Sequence, residues 1–148
     1  MFIKIISGGQ TGIDRMALEV ARELGIPTGG SAPRDFMTEK GPDLSLATFG
    51  LVALLNKEYA ARTRKNVLDG DGTVIYGDLI GGTRLTLEFC RELEKPHIVN
   101  PRAEDLVDFI RTKRIEVLNV AGNRGSKMAD VRLAEYRQRL RKALIMVR

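Results

Sequence analysis

The sequence predicts an α/β domain, a mostly parallel sheet flanked by helices. Two observations carry this. Short apolar runs alternate with segments of helical periodicity along the whole chain, with no linker, repeat or low-complexity stretch between them. Three of the apolar runs end in glycine-rich turns, Gly8–Gly12, Gly77–Gly82 and Gly122–Gly125, and each turn opens a helical pattern. The length of 148 residues corresponds to one domain, 1–148. It is enough to bury a core without disulfides or metals.

Taken in order, Phe2–Ile6 is apolar except for Lys4, as a strand covered on both faces requires. From Gly12 to Leu24, residues Ile13, Met16, Ala17, Val20, Ala21 and Leu24 recur at helical spacing. Thr11 is the expected cap and Gly25 the expected stop. Ile26–Thr28 reads as a short strand ending in the Gly29-Gly30 turn. Residues 35–56 are broken by Pro42 and Gly50, and Leu51–Leu55 fits either a strand or a helix. Lys57–Val67 is helical, with Tyr59, Arg62 and Asn66 near one face. Thr73–Tyr76 is a strand, and Thr83 opens a helix with Leu85, Phe89, Cys90 and Leu93 inward, stopped by Lys95-Pro96. Ile98-Val99 begins a strand, Ala103–Arg111 is a helix and Glu116–Val120 is the last strand. The final helix carries Leu133, Tyr136, Leu140, Leu144 and Val147 as one stripe.

Composition excludes several classes. A single cysteine, Cys90, rules out an internal disulfide. No apolar run approaches the ~18–20 residues of a membrane span. The first residues lack the pattern of a secretory signal, so a cytoplasmic protein is expected. The net charge of +5 is uneven: residues 1–131 hold 18 Lys/Arg and 18 Asp/Glu, and the excess lies on the last helix. That basic face reads first as a solvated surface, and the absence of Trp disfavours a base-stacking platform for nucleic acid. No His/Cys set has zinc spacing, and no metal site is identified; Asp69, Asp71 and Asp78 sit in turns, where Asp bonds its own backbone or holds Mg²⁺. His97 opens a strand and reads as structural.

The glycine turns carry the functional signal. In α/β sheets ligands bind at the carboxyl ends of the strands. A glycine turn there exposes the first N–H groups of a helix to an anion. The first turn lacks both the Gly-x-Gly-x-x-Gly dinucleotide pattern and the Gly-Lys-Ser/Thr ending of the Walker loop. Gly8, Gly9 and Gly12 offer backbone donors, and Gln10 and Thr11 add side-chain donors. Asp14 either complements the helix dipole or touches a ligand, and Arg15 offers a donor fork to a phosphate. Gly81, Gly82 and Thr83 repeat the arrangement; Thr83 and Thr86 either cap that helix or bind phosphate. Arg124 and Ser126 close the site from the third turn or lie in solvent. The expected ligand is a phosphorylated small molecule.

Ser7-Gly8-Gly9-Gln10-Thr11-Gly12-Ile13-Asp14-Arg15 resembles the opening motif of the putative molybdenum carrier proteins. So do Gly29-Gly30 with Pro33-Arg34, and Tyr59 with Arg62-Thr63 and Asn66-Val67. Asp71-Gly72-Thr73, Gly81-Gly82-Thr83 with Leu85-Thr86, and Leu118-Asn119-Val120-Ala121-Gly122 with Arg124 and Ser126 complete the order. Ser31 stands where that family usually has Trp, and Asp69-Gly70-Asp71 where it has Asp-Ser-Asp. The resemblance implies a Rossmann-like three-layer fold, shared with lonely-guy-type phosphoribohydrolases and DNA-processing protein A. It also implies a pocket for molybdenum cofactor or a nucleotide, and a homo-oligomer. It adds Gly30, Arg34, Asn119 and Gly122 to the expected site. The phosphoribohydrolase relatives suggest an alternative, hydrolysis of an N-glycosidic bond by Arg62 or Arg64 with Glu88, which stands seven residues after Gly81.

Overall fold

The computed structural model describes residues 2–148. Its core is one six-stranded parallel sheet of order β5-β2-β1-β8-β6-β7. The elements in chain order are β1 (Lys4–Ile6), α1 (Ile13–Glu23), β2 (Thr28–Ala32), β3 (Met37–Thr38), β4 (Gly41–Pro42) and β5 (Leu51–Ala53). They continue with α2 (Tyr59–Asp69), β6 (Gly72–Tyr76), α3 (Gly81–Glu92), β7 (His97–Val99), α4 (Ala103–Thr112), β8 (Val117–Gly122) and α5 (Asp130–Val147). β3 and β4 form a small antiparallel hairpin, and 3-10 turns cover Arg34–Phe36, Leu44–Phe49 and Gly125–Lys127.

Alternation along the central strands sets the layers. Val74 and Tyr76 of β6 and Leu118 and Val120 of β8 bury against α1, α4 and α5. The α5 stripe of Tyr136, Leu140, Leu144 and Val147 completes that core, with Tyr136 stacked on Tyr76 at 4.9 Å between ring centroids. The alternate residues of the same strands, Thr73 and Asn119 among others, face α2 and α3. A smaller cluster of Leu18, Ala32, Leu46, Phe49 and Leu51 packs the β2–β5 edge.

Three local expectations need correction. Phe2 lies outside β1 and is exposed. The second strand is not Ile26–Thr28 but Thr28–Ala32, so Gly29 and Gly30 lie inside a strand. There Gly30 (φ 128°) runs so close to β1 that a Cβ would overlap the Ser7 carbonyl oxygen. A strand with two glycines and a serine has little β propensity, and the neighbouring backbone is what holds it. Thr11 does not cap α1: Gly12 is the N-cap, without a side-chain bond, and the Thr11 hydroxyl accepts the Gly125 N–H at 3.0 Å instead.

Candidate functional site

A cleft of about 340 Å³ opens at the carboxyl ends of the central strands. It lies between α2 and α3, with β8 beneath it. Of the residues expected from sequence, Gly8, Gln10, Asp14, Arg62, Gly81, Gly82, Thr83, Thr86, Asn119, Gly122 and Arg124 line it.

The first loop and the second behave differently. In the β1–α1 loop the donors of Gly9, Gln10 and Thr11 are already used. Asp14 Oδ2 accepts the Gln10 N–H at 3.2 Å and Arg62 Nη1 at 2.9 Å. The Gly9 N–H turns to Ser7 Oγ and the Thr11 N–H to Gln10 Oε1. The start of α1 thus holds an anion supplied by the chain itself. Asp14 and Arg62 side chains are only 5% and 11% exposed. Burial pushes the Asp14 carboxyl above its ordinary value, against the opposing pull of Arg62 and of the Gln10 and Gly8 amides.

At the start of α3 the donors are free. The N-cap is Ile80, with no side-chain cap. Neither the Gly81 nor the Gly82 N–H has a protein partner among the described residues. Nothing lies within 4 Å of where either glycine would carry a Cβ. The positive end of α3 therefore faces open cleft. Arg124 and Lys127 add positive charge to the lining; Arg124 Nε stands 3.5 Å from Glu39 Oε2, and Lys127 has no ion pair among the described residues. Asn123 fixes this end: its amide donates to Thr83 Oγ1 (2.8 Å) and the Asp78 carbonyl (2.9 Å) and accepts the Asp78 N–H (2.8 Å).

The other expected residues are not brought to the cleft. Arg15 is committed elsewhere, to Asp43 at 2.9 Å and Ser45 at 2.7 Å, with its guanidinium over Phe49. A Cβ on Gly9 would meet Leu46 and Leu51, and one on Gly12 the backbone of residues 123–125. Those two glycines, like Gly30, serve close packing of chain on chain. Thr11 ties the first turn to the third. Arg34 is half exposed near Asp35, and Ser126 bonds Glu39 with both its hydroxyl and its N–H. Thr83 and Thr86 do not cap α3: Thr83 receives Asn123, and Thr86 donates to the Gly82 carbonyl. Glu88 pairs with Arg84 at 3.3 Å on the exposed face of α3, and Arg64 is also exposed. The Arg62–Glu88 pairing is therefore not assembled, and the carboxylate that meets Arg62 is Asp14.

Tyr59, Thr63, Asn66, Asn123 and Lys127 line the cleft without having been singled out as site residues. The spacing of Tyr59 and Asn66 on one helix face with Arg62 carried the signal for the first group. Asp69, Asp71 and Asp78 do not converge: Asp69 pairs with Lys65, Asp71 accepts the N–H groups of Glu116 and Val117, and Asp78 pairs with Arg132. No cluster of three metal-ligating side chains exists among the described residues. No helix of the described residues is long and apolar enough to cross a membrane.

A parallel sheet of this order, with helices on both faces and a cleft over the carboxyl ends of its strands, defines a Rossmann-like α/β protein. The chain belongs to the circularly permutated YpsA SLOG family, whose pattern matches residues 5–144. It is similar to a solved structure described as a putative molybdenum carrier protein from Syntrophus aciditrophicus SB. The two share 38% identity with a TM-score of 0.81, over 97% of this chain and 93% of that one. No curated protein matches the chain.

Proposed function

We propose that this protein binds a phosphorylated small molecule, molybdenum cofactor or a nucleotide, with its phosphate at the start of α3, and acts as a carrier or sensor. The observation that carries this is the pair of unpartnered N–H groups at Gly81 and Gly82, open to a cleft that Arg124 and Lys127 also line. A phosphate there receives backbone donors, the positive end of the helix and two cationic side chains. The molybdenum carrier description of the similar structure supports the cofactor branch of the reading. A nucleic-acid role through α5 has less support. Arg132, Arg137, Arg139 and Lys142 are each paired with a carboxylate, and Arg148 bonds the Leu24 carbonyl.

Calorimetric titration with ribose 5-phosphate tests the reading. The wild-type protein is expected to bind saturably. Gly82→Val, whose side chain enters open cleft, is expected to keep the wild-type melting temperature and lose at least about tenfold in affinity, the worth of one or two charge-assisted bonds. Equal affinity in wild type and variant would remove α3 as the phosphate site.

A further inference from the structure

We infer that the deep part of the cleft, between α2 and α3, reads the uncharged end of the ligand through Arg62 and Asn119, and that this end is a heterocycle with an adjacent carbonyl and ring N–H. The inference rests on the phosphate reading above, which sets the opposite end of the ligand at Gly81–Gly82.

Most polar groups in the slot are already engaged. The Asn66 amide is tied to Ser31, accepting its N–H at 2.8 Å and donating to its carbonyl at 2.9 Å. Thr63 donates to the Tyr59 carbonyl and Thr86 to the Gly82 carbonyl. Two groups beside these have no protein partner. Arg62 Nε is buried with no partner. Asn119, 2% exposed on the floor, donates through Nδ2 to Thr73 Oγ1 at 3.2 Å, and its Oδ1 has no protein partner among the described residues. The pair offers one donor and one acceptor, and the buried donor, Arg62 Nε, needs a partner.

The orientation of Arg62 is built in from two sides. Asp14 holds Nη1, and the guanidinium lies directly across Gly8, where a Cβ would overlap it. Asp14 also balances its charge, so this end of the cleft offers hydrogen bonds without a net cation. A phosphate therefore belongs at the α3 end and a neutral group at the Arg62 end. A lactam edge complements the leftover pair: its carbonyl accepts from Arg62 and its ring N–H donates to Asn119. The volume of about 340 Å³ lies at the lower end of the ~300–1,000 Å³ range of ligand pockets, room for one ring system and its phosphate rather than a dinucleotide.

The test compares guanosine 5′-monophosphate, which carries a lactam edge, with ribose 5-phosphate, which does not. The proteins are wild type, Arg62→Lys and Asn119→Ser, each first checked by thermal melt. Arg62→Lys keeps a cation beside Asp14 but removes Nε, and the two variants act on separate elements, so one decides if the other does not fold. The wild type is expected to prefer the nucleotide by about tenfold, and each variant to reduce that ratio to about one or two. Equal binding of both probes by wild type overturns the inference and leaves the phosphate site standing. A preference that survives both variants overturns it too. Failure of both probes and of inorganic phosphate to bind removes the phosphate reading and this inference with it.

Discussion

Replacing Gly30 with Ala is expected to remove about 4 kcal/mol of stability, a large share of the ~5–15 kcal/mol that holds a typical domain folded. Two causes combine. The residue has φ 128°, where an L side chain is strained. The new Cβ would also overlap the Ser7 carbonyl oxygen and stand 2.9 Å from the Ser7 nitrogen, immediately beyond the β1–β2 pairing that ends at Ile6 and Gly29. Backbone on a neighbouring central strand cannot move aside as a flexible side chain would. Gly25→Ala separates the two causes: it also has a positive φ, 70°, but nothing lies within 4 Å, so it is expected to cost only about 1 kcal/mol. Urea denaturation of both variants measures the difference. Equal losses would mean that the close approach of β2 to β1 contributes nothing.

Arg62→Ala should cost about 3 kcal/mol near neutral pH, because it leaves the Asp14 carboxylate buried without its cation. The pH dependence gives this prediction its signature. Asp14 already titrates above its ordinary value in the folded protein because of burial, and Arg62 is the largest influence holding it down. Without Arg62 the folded value rises further. A carboxyl whose folded value exceeds the unfolded one contributes its stability at low pH, below the unfolded value, and loses it as pH rises through the folded value. The stability gap between variant and wild type should therefore narrow on acidification from pH 7 to about pH 5. Asp14→Asn in the Arg62→Ala background should recover part of the loss at pH 7. A gap independent of pH would show that Arg62 stabilises by packing alone.

These two residues also mark what was legible in the sequence. The alternation of apolar runs and amphipathic helices suffices for the parallel sheet, because strands buried on both faces must be continuous apolar runs. β2 escapes that logic. Its Thr28-Gly29-Gly30-Ser31-Ala32 run looks like a turn, since the property that selects glycine is the approach of β1, a contact absent from the local pattern. The three glycine turns do point to the strand ends. Their sequences do not say which helix start is open. The first is filled by Asp14 and fixed by Arg62, 48 positions away, and only the folded chain brings the two together. The Gly81 and Gly82 N–H groups, with no partner among the described residues, remain free. Glu88 matched a spacing seen in relatives, yet helical geometry sets it beside Arg84, four positions earlier, on the outer face.

The position of β8 has a consequence for how the chain assembles as it is made. The strand of residues 117–122 lies between β1 and β6, pairing with both. Until it leaves the ribosome, β5-β2-β1 and β6-β7 are two separate half-sheets, each with an inner edge of unpaired backbone. At roughly 5–20 residues per second, those edges stay open for several seconds. The last strand of this sheet to be made is therefore the one that joins the halves, and it brings Asn119 and the β8–α5 turn into the cleft in the same step. A nascent chain has no complete cleft to offer a ligand before that moment, and the open edges are the surface a chaperone would cover.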